Sequence, residues 1–518
     1  MGIMNFFDEV STKINSGEIN SKDDLQSLKL QLSRKYSLDH IPSDSEILNT
    51  ATINKEYQKL LRIKPTRTVS GVAVVAAMTS PEICPHGRCI FCPGGVENNS
   101  PQAYTGYEPS ALRGRANQYD AYNIVFNRLK QLETIGHDTS KVDLIIMGGT
   151  FTARTREYQE SYVKGCIDAM NGFVAENLEE AMKFNETAGR KCIGLTVETK
   201  PDWFFEKEID LALDYGATKV ELGAQIINDA VLKMNMRGHG TSEIVKSTQL
   251  SRDAGFKIVY HLMPGMPGAS YEDDLKSFRE MMSNEDYMPD MLKIYPTLVV
   301  KGTKLYNMWK SGEYEPMDTN DAVRLITTFM KEMPPWVRVQ RMQRDIPVKF
   351  IEAGVKRSDL RNLVEAQLEM NGEKSHEIRG REVGVRDVKS GDFTLLRREY
   401  KASGSNEIFL SFENSDDDIS GFIRLRKPSS RSHRAEIKDS SIIREIKVLG
   451  NVVPVGQRTG EGFQHRGIGK SLLDEAERIS REEWNMERIL VISGIGVREY
   501  FRKFGYERIG PYMGKNFD

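Results

Sequence analysis

Residues 71–95 read GVAVVAAMTSPEICPHGRCIFCPGG, and the architecture follows from that stretch. Its first part is a short apolar run with no polar face, as expected for a strand covered on both sides, the signature of a parallel sheet. The run ends in a loop carrying Cys84, Cys89 and Cys92 within nine residues. Three thiolates on one short loop can hold three corners of a 4Fe-4S cluster and leave the fourth iron open to a non-protein ligand. The competing reading is a zinc site completed by His86, which would be closed and inert. In parallel α/β sheets ligands gather at the carboxyl ends of the strands, where this loop sits. The other two of the five cysteines, Cys166 and Cys192, fall in a helical and a strand-like context and read as packing residues. So few cysteines, so unevenly placed, make no disulfide framework and point to a reducing compartment.

Working outward, six further apolar runs alternate with amphipathic helices: VDLIIMGGTF from Val142, CIGLTVET from Cys192, KVELGAQ from Lys219, KIVYHLMPG from Lys257, MLKIYPT from Met291 and WVRVQRM from Trp336. Repeated β-α units of this kind predict a partial (β/α) barrel over residues 69–345. Residues 1–68 show helical periodicity through Leu25, Leu28 and Leu32, with Ser21 as the expected N-cap. Residues 346–380 are polar and of mixed charge, and read as a linker with a helix over 359–370. From 381 to 518 the pattern changes to antiparallel-type strands followed by a glycine-containing loop and a helix, a separate α+β domain. The fold class expected is α/β with an N-terminal helical region and a C-terminal α+β domain.

The chain has 518 residues, with 72 Lys+Arg against 74 Asp+Glu, so it is not basic throughout and charge has to be read regionally. Basic clusters that could track phosphates are Lys55, Lys59, Arg62, Lys64 and Arg67, then Arg113, Arg115 and Arg128, then Arg424, Arg426, Lys427, Arg431 and Arg434. No run of apolar residues reaches the length of a membrane span and the N-terminus carries no secretory pattern, so a cytoplasmic protein without a membrane partner is expected.

The cysteine loop and its strand resemble the radical S-adenosylmethionine superfamily. Downstream, Gly148, Gly149 and Thr150 end the second strand and Glu198 ends the third, where the resemblance implies contacts to the methionine amino group and the ribose hydroxyls of S-adenosylmethionine. In the C-terminal domain, Gln464-His-Arg-Gly467-Ile468-Gly469-Lys470 opens a helix whose backbone N–H groups favour a diphosphate. This Q-x-x-G-x-G form, after SIIREIKVLG and before ILVISGIGVREYFRKFGYERIGPYMGK, resembles the GNAT acetyltransferase fold. That resemblance implies that acetyl-CoA is held along Glu445, Ile446, Lys447 and Val448 like an added strand, with Tyr500 as the catalytic residue near the thioester sulfur and Phe501 beside it.

The two together, with YTGYEPSALRGRANQYD, LKIYPTLVVKGTKLY and REVGVRD, are similar in order and content to the catalytic third subunit of Elongator and its stand-alone archaeal and bacterial relatives, from about residue 70 to the end. The resemblance implies a transferase forming 5-carboxymethyluridine at the wobble position of tRNA. Cys84, Cys89 and Cys92 would ligate the cluster, and an external donor would supply the electron that cleaves S-adenosylmethionine to a 5′-deoxyadenosyl radical. That radical would take hydrogen from the methyl group of acetyl-CoA, the carbon radical would add to C5 of uridine, and thioester hydrolysis would leave the carboxymethyl group. Lys141 matches a family lysine assigned to acetyl-CoA. Expected partners are the tRNA anticodon stem-loop, the electron donor and a second copy of the chain in a homodimer. Many relatives carry Tyr-Tyr where this chain has Tyr500-Phe501, and no structural zinc is expected because no cysteine follows Cys192. The alternatives are a protein lysine acetyltransferase with a structural iron-sulfur domain and a non-catalytic RNA-binding subunit.

Overall fold

The computed structural model describes residues 2–54, 56–63, 68, 70–388, 391–450 and 467–517. Lys55, Lys64, Arg67 and Gln464 therefore lie outside the described residues. The N-terminal helices Gly2–Asn15, Lys22–Lys35, Asp44–Thr50 and Gln58–Leu61 enclose a small core of their own around Phe6, Val10, Leu25, Leu32, Ile47 and Leu61. Ser21 caps the second helix, its hydroxyl accepting from the Asp24 N–H at 3.1 Å. Ser43 and Glu46 close a capping box at the start of the third.

The central region is an open parallel sheet of β1 (Ala73–Met78), β2 (Lys141–Met147), β3 (Lys191–Thr199), β4 (Lys219–Gln225), β5 (Lys257–Leu262) and β6 (Met291–Ile294). After the short strand β7 (Val299–Val300), β8 (Arg338–Arg341) completes it, in the order β1-β2-β3-β4-β5-β6-β8. Every expected apolar run is one of these strands. β1 and β8 are the two edges, so the barrel is partial, as read from the sequence.

Residues 346–380 do not form a connector. β9 (Ile351–Ala353) pairs antiparallel with β7, and the helix Leu360–Met370 buries Leu360, Val364 and Leu368 in the same core as the barrel. The polar composition that suggested a linker belongs to the solvent face of an amphipathic helix.

The C-terminal sheet comprises β10 (Thr394–Ala402), β11 (Ser405–Glu413), β12 (Ile419–Arg426), β13 (Ser440–Val448), β14 (Arg488–Val491), β15 (Glu507–Ile509) and β16 (Tyr512–Asn516). Its order is β10-β11-β12-β13-β14-β16-β15, antiparallel except where β13 meets β14. That one parallel pair is short. β14 follows β13 only from Ser440 to Ile443, while β12 stays paired along β13 to Val448. Beyond Ile443 β13 runs on to Val448 with β12 on one side and, among the described residues, no strand paired on the other.

The two large domains meet through buried charge. Arg444 donates to both oxygens of Asp290 at 2.6 and 2.7 Å and to Glu407 at 2.9 Å. Arg426 donates to Asp253 at 2.8 Å and Arg424 to Glu445 at 2.9 Å. All these side chains are buried, and those of Arg424, Arg426 and Arg444 are fully enclosed. Arg424 and Arg426, expected on a phosphate-tracking surface, are thus interior residues. Arg434 likewise bonds Asp210 at 2.8 Å and Glu436 at 2.7 Å. A charge run in sequence looks the same whether solvent or a distant carboxylate answers it.

One buried acid is not compensated by a cation. Burial pushes the carboxyl of Asp274 up to about 7, although the Gly265 N–H donates to it at 2.8 Å. The folded value lies above the unfolded one, so the stability from its protonation is full below about pH 4 and lost as pH rises through about 7. Asp274→Asn is therefore expected to raise the thermal unfolding midpoint, relative to the native chain, more at pH 8 than at pH 5.

Candidate functional site

Cys84, Cys89 and Cys92 lie on the loop after β1 and line one open cavity at the carboxyl ends of the barrel strands, together with Gly149, Thr150, Glu198, Gln225 and Tyr295. Each sulfur receives a donor. The Thr150 hydroxyl lies 3.7 Å from Cys84 Sγ, Arg237 Nη1 3.3 Å from Cys89 Sγ, and the Ala103 N–H 3.2 Å from Cys92 Sγ. Donors of this kind favour sulfur that carries negative charge. Burial pushes the Cys84 and Cys92 thiols up.

Among the described residues, Glu198, Glu221 and His261 are the group whose ligand atoms all lie within 4.8 Å of one another. The Glu198 group is no cation site, because the Lys293 ammonium already sits on Glu221 and His261 Nε2 lies 2.8 Å from it. His86 contacts Cys89 Sγ at 3.2 Å, and burial with Lys200 and Arg237 nearby pushes its ring down to about 3, leaving it neutral.

Gly149 shows how closely the second strand's end approaches the cysteines. It has φ +77°, and a Cβ there would stand 3.5 Å from Cys84 Sγ and 3.2 Å from the Gln102 carbonyl. A side chain would therefore crowd the cluster space. Glu198 accepts a hydrogen bond of 2.6 Å from the Tyr104 hydroxyl. Of the residues lining the cavity, Gln225 Oε1, Arg237 Nε and His86 Nδ1 are buried without a hydrogen-bond partner. An unmet buried polar group is costly, so such a set marks a cavity shaped for a polar ligand.

Several of these residues went unnoticed in the sequence. Glu221 and Gln225 alternate along β4, His261 lies on β5, and Lys293 and Tyr295 alternate along and just beyond β6. Single charges within apolar strands, spaced by two, were the available signal for a polar barrel interior.

In the C-terminal domain, Glu445, Ile446, Lys447 and Val448 are the part of β13 beyond its pairing with β14. Gly467 is the left-handed N-cap of the helix Ile468–Arg478, which holds Ile468, Gly469 and Lys470 in its first turn. A Cβ on Gly469 would stand 2.8 Å from the Tyr500 hydroxyl and 3.5 Å from Val448 Cγ2, so this end of β13, the helix start and the phenol converge. Phe501 does not join them. Its side chain is 2% exposed and belongs to the domain's apolar core. Burial at the domain interface, with Arg338 nearby, pushes the Lys447 ammonium down to about 7. Lys141 opens β2 beside Lys191, whose side chain packs on Gly496 of the C-terminal domain.

Of the basic residues, Lys59 is exposed and Arg113 half-buried. Arg62 spends its guanidinium on the Gly136 carbonyl at 2.9 Å, joining the N-terminal helices to the barrel. Arg115 donates to the Asn98 carbonyl at 3.2 Å near the cavity loop.

Comparison with known proteins matches the same regions. The ELP3 N-terminal domain covers residues 3–69, the Radical SAM superfamily 78–281, the Radical_SAM C-terminal domain 289–370 and the Acetyltransferase (GNAT) family 381–506. The tRNA uridine(34) acetyltransferase of Methanocaldococcus jannaschii is 49% identical, over 98% of this chain and 96% of its own length. Elongator complex protein 3 of Homo sapiens is 41% identical over 98% and 96%. The solved structure of the archaeal Methanocaldococcus infernus Elp3 with its N-terminus deleted shares 45% identity and a TM-score of 0.77, covering 87% of this chain and all of that one. Because the likeness runs through all these regions in one order, the chain belongs to the family of the tRNA uridine(34) acetyltransferases and Elongator complex protein 3.

Proposed function

We propose that the protein forms 5-carboxymethyluridine at the wobble position of tRNA, taking the two-carbon unit from acetyl-CoA. The observation that carries this reading is the presence, in one chain, of a three-cysteine cavity on an open barrel and a strand β13 that runs on past β14 beside a helix start. A lysine acetyltransferase needs only the second, and gives the donors trained on the cysteine sulfurs no purpose.

In this reading Cys84, Cys89 and Cys92 hold a 4Fe-4S cluster, and Gly148, Gly149, Thr150 and Glu198 receive S-adenosylmethionine. When bound, that pair supplies one-electron chemistry able to take a hydrogen atom from a methyl group, with the electron provided by an external donor. The chain's own residues then bind and orient. Glu198, released from Tyr104, accepts from the ribose hydroxyls. The free edge of β13 from Glu445 to Val448 pairs with the pantetheine amides as a strand would. The N–H groups of Ile468, Gly469 and Lys470 meet the diphosphate, and Lys141 approaches from the barrel. Tyr500, whose phenol burial pushes up, stays protonated and donates toward the thioester. Lys59, Arg62, Arg113 and Arg115, with Lys55, Lys64 and Arg67, serve the RNA backbone. The compartment is the cytoplasm, where tRNA and acetyl-CoA meet. Among the described residues, no helix is long and apolar enough to cross a membrane.

The test is anaerobic reconstitution with a chemical reductant, S-adenosylmethionine, acetyl-CoA and unmodified tRNA, followed by mass spectrometry of the nucleosides. Carboxymethyluridine that requires each component supports the proposal. Acetyl-lysine as the product, with the tRNA unchanged, overturns it.

A further inference from the structure

At the rim of the cysteine cavity two rings from distant segments stack on each other. Tyr107 and Phe350 lie 4.1 Å apart between centroids at 22°. Stacked rings are ordinary inside a core, yet Tyr107 is 45% exposed, and Val348 in the second segment 48%. Cations attend both rings, with Arg115 Cζ 5.9 Å from the centroid of Tyr107 and Lys349 Nζ 5.1 Å from that of Phe350.

The pair is held rigidly. Buried Glu108 accepts the backbone N–H groups of Thr105 at 2.8 Å and Gly106 at 3.0 Å, and the Tyr107 N–H donates to the Thr105 hydroxyl at 3.2 Å. On the other side the Phe350 N–H donates to the Pro347 carbonyl at 2.9 Å. The two segments also reach the cavity, because Glu108, Arg344 and Ile346 line it together with the three cysteines. Arg344 crosses between the two sides, donating to the Ala103 carbonyl at 2.6 Å.

The carboxylates of these segments leave the cations largely unopposed. Glu108 is occupied by backbone donors, and Asp345 is engaged by Arg341. Glu352, half-buried on β9, is the remaining acid there. Exposed aromatic faces flanked by Arg and Lys are the chemistry by which proteins hold unpaired bases, the ring taking the base and the cations its phosphates. A platform fixed before binding adds little ordering cost.

We propose that Tyr107 and Phe350 form a stacking platform for an unpaired nucleobase next to the one that enters the cavity, with Arg115 and Lys349 meeting its flanking phosphates. This rests on the reading of the chain as an RNA-modifying enzyme, and names how that RNA is held. A base extends the existing two-ring stack, which anchors the loop while its neighbour is turned into the cavity.

The test uses the full chain and a stem-loop RNA carrying the target uridine in its loop, followed by fluorescence anisotropy. Tyr107→Leu, which keeps the apolar volume and removes the ring, is expected to weaken binding by about 5- to 100-fold, and Tyr107→Phe to leave it within about twofold. An abasic residue beside the target uridine should cost the native chain a similar factor and cost Tyr107→Leu nothing further. A 2-aminopurine at that position should be quenched by the native chain and not by Tyr107→Leu. Affinity and quenching that survive Tyr107→Leu would overturn the platform, as would an equal loss on fully paired RNA. Failure of the native chain to bind the stem-loop would instead count against the proposed function, so the two failures are told apart.

Discussion

Cys89→Ser is expected to lower carboxymethyluridine formation by on the order of 10³-fold or more, since the hydrogen-abstraction step has no uncatalysed substitute at neutral pH. The substitution is nearly isosteric, so folding should change little. Cys89 is 6% exposed, and its sulfur receives Arg237 Nη1 at 3.3 Å and contacts His86 at 3.2 Å. A serine hydroxyl can take the same neighbours but does not offer the soft thiolate that iron prefers. The measurement is product formation beside the visible absorption of the reconstituted cluster. Both should fall together while acetyl-CoA binding persists, because β13 and the helix Ile468–Arg478 belong to the other domain. Activity retained with the cluster lost would remove the cysteines from the chemistry.

The second large effect lies in the interface. Arg444→Met is expected to destabilise the fold by about 3–5 kcal/mol, because Asp290 and Glu407 stay buried with one cation fewer, only Arg252 then lying near both, at 3.9 Å. Burial would raise the carboxyl of Asp290, but Arg444 and the neighbouring Arg424 hold it well below its ordinary range. Once Arg444 is gone, the penalty of keeping Asp290 charged returns. The double change Arg444→Met with Glu407→Gln should recover part of the loss, since one anion leaves with the cation and Asp290 keeps Arg252 and Arg424 beside it. Amide exchange at β11 and β13 reports this without assuming two-state unfolding of a multidomain chain. The same interface fixes where the edge of β13 proposed to hold acetyl-CoA lies relative to the barrel. Product formation should therefore fall further than the affinity for either small molecule. Unchanged exchange in Arg444→Met would contradict this account of the interface.

The strands of the barrel were legible as short apolar runs set between amphipathic helices, although Val74 is 49% exposed on the edge strand β1 and β2 buries only alternate residues. The three cysteines were legible because nothing structural explains thiols so close together in a reducing setting. Residues 346–380 were misread because a helix that covers the edge of a core shows the sequence only a few apolar positions among many charges. Arg424 and Arg426 were misread for a related reason. Their partners Asp253 and Asp290 lie far away in sequence, and only the docking of two domains brings them together. Phe501 followed its neighbour Tyr500 by family likeness, whereas on the short helix Arg498–Arg502 the next residue turns to a different face. The platform of Tyr107 and Phe350 needed the fold, since neither ring is distinctive alone.

In the proposed reaction the methyl carbon of acetyl-CoA becomes bonded to C5 of the wobble uridine within this one chain. The direct measurement uses acetyl-CoA with a trideuterated methyl group, S-adenosylmethionine and tRNA under anaerobic turnover, with mass spectrometry of the modified nucleoside and of the 5′-deoxyadenosine released. The predicted result is carboxymethyluridine retaining two deuterons and 5′-deoxyadenosine that has gained one. Undeuterated 5′-deoxyadenosine, or label found only in acetyl-lysine, would contradict it.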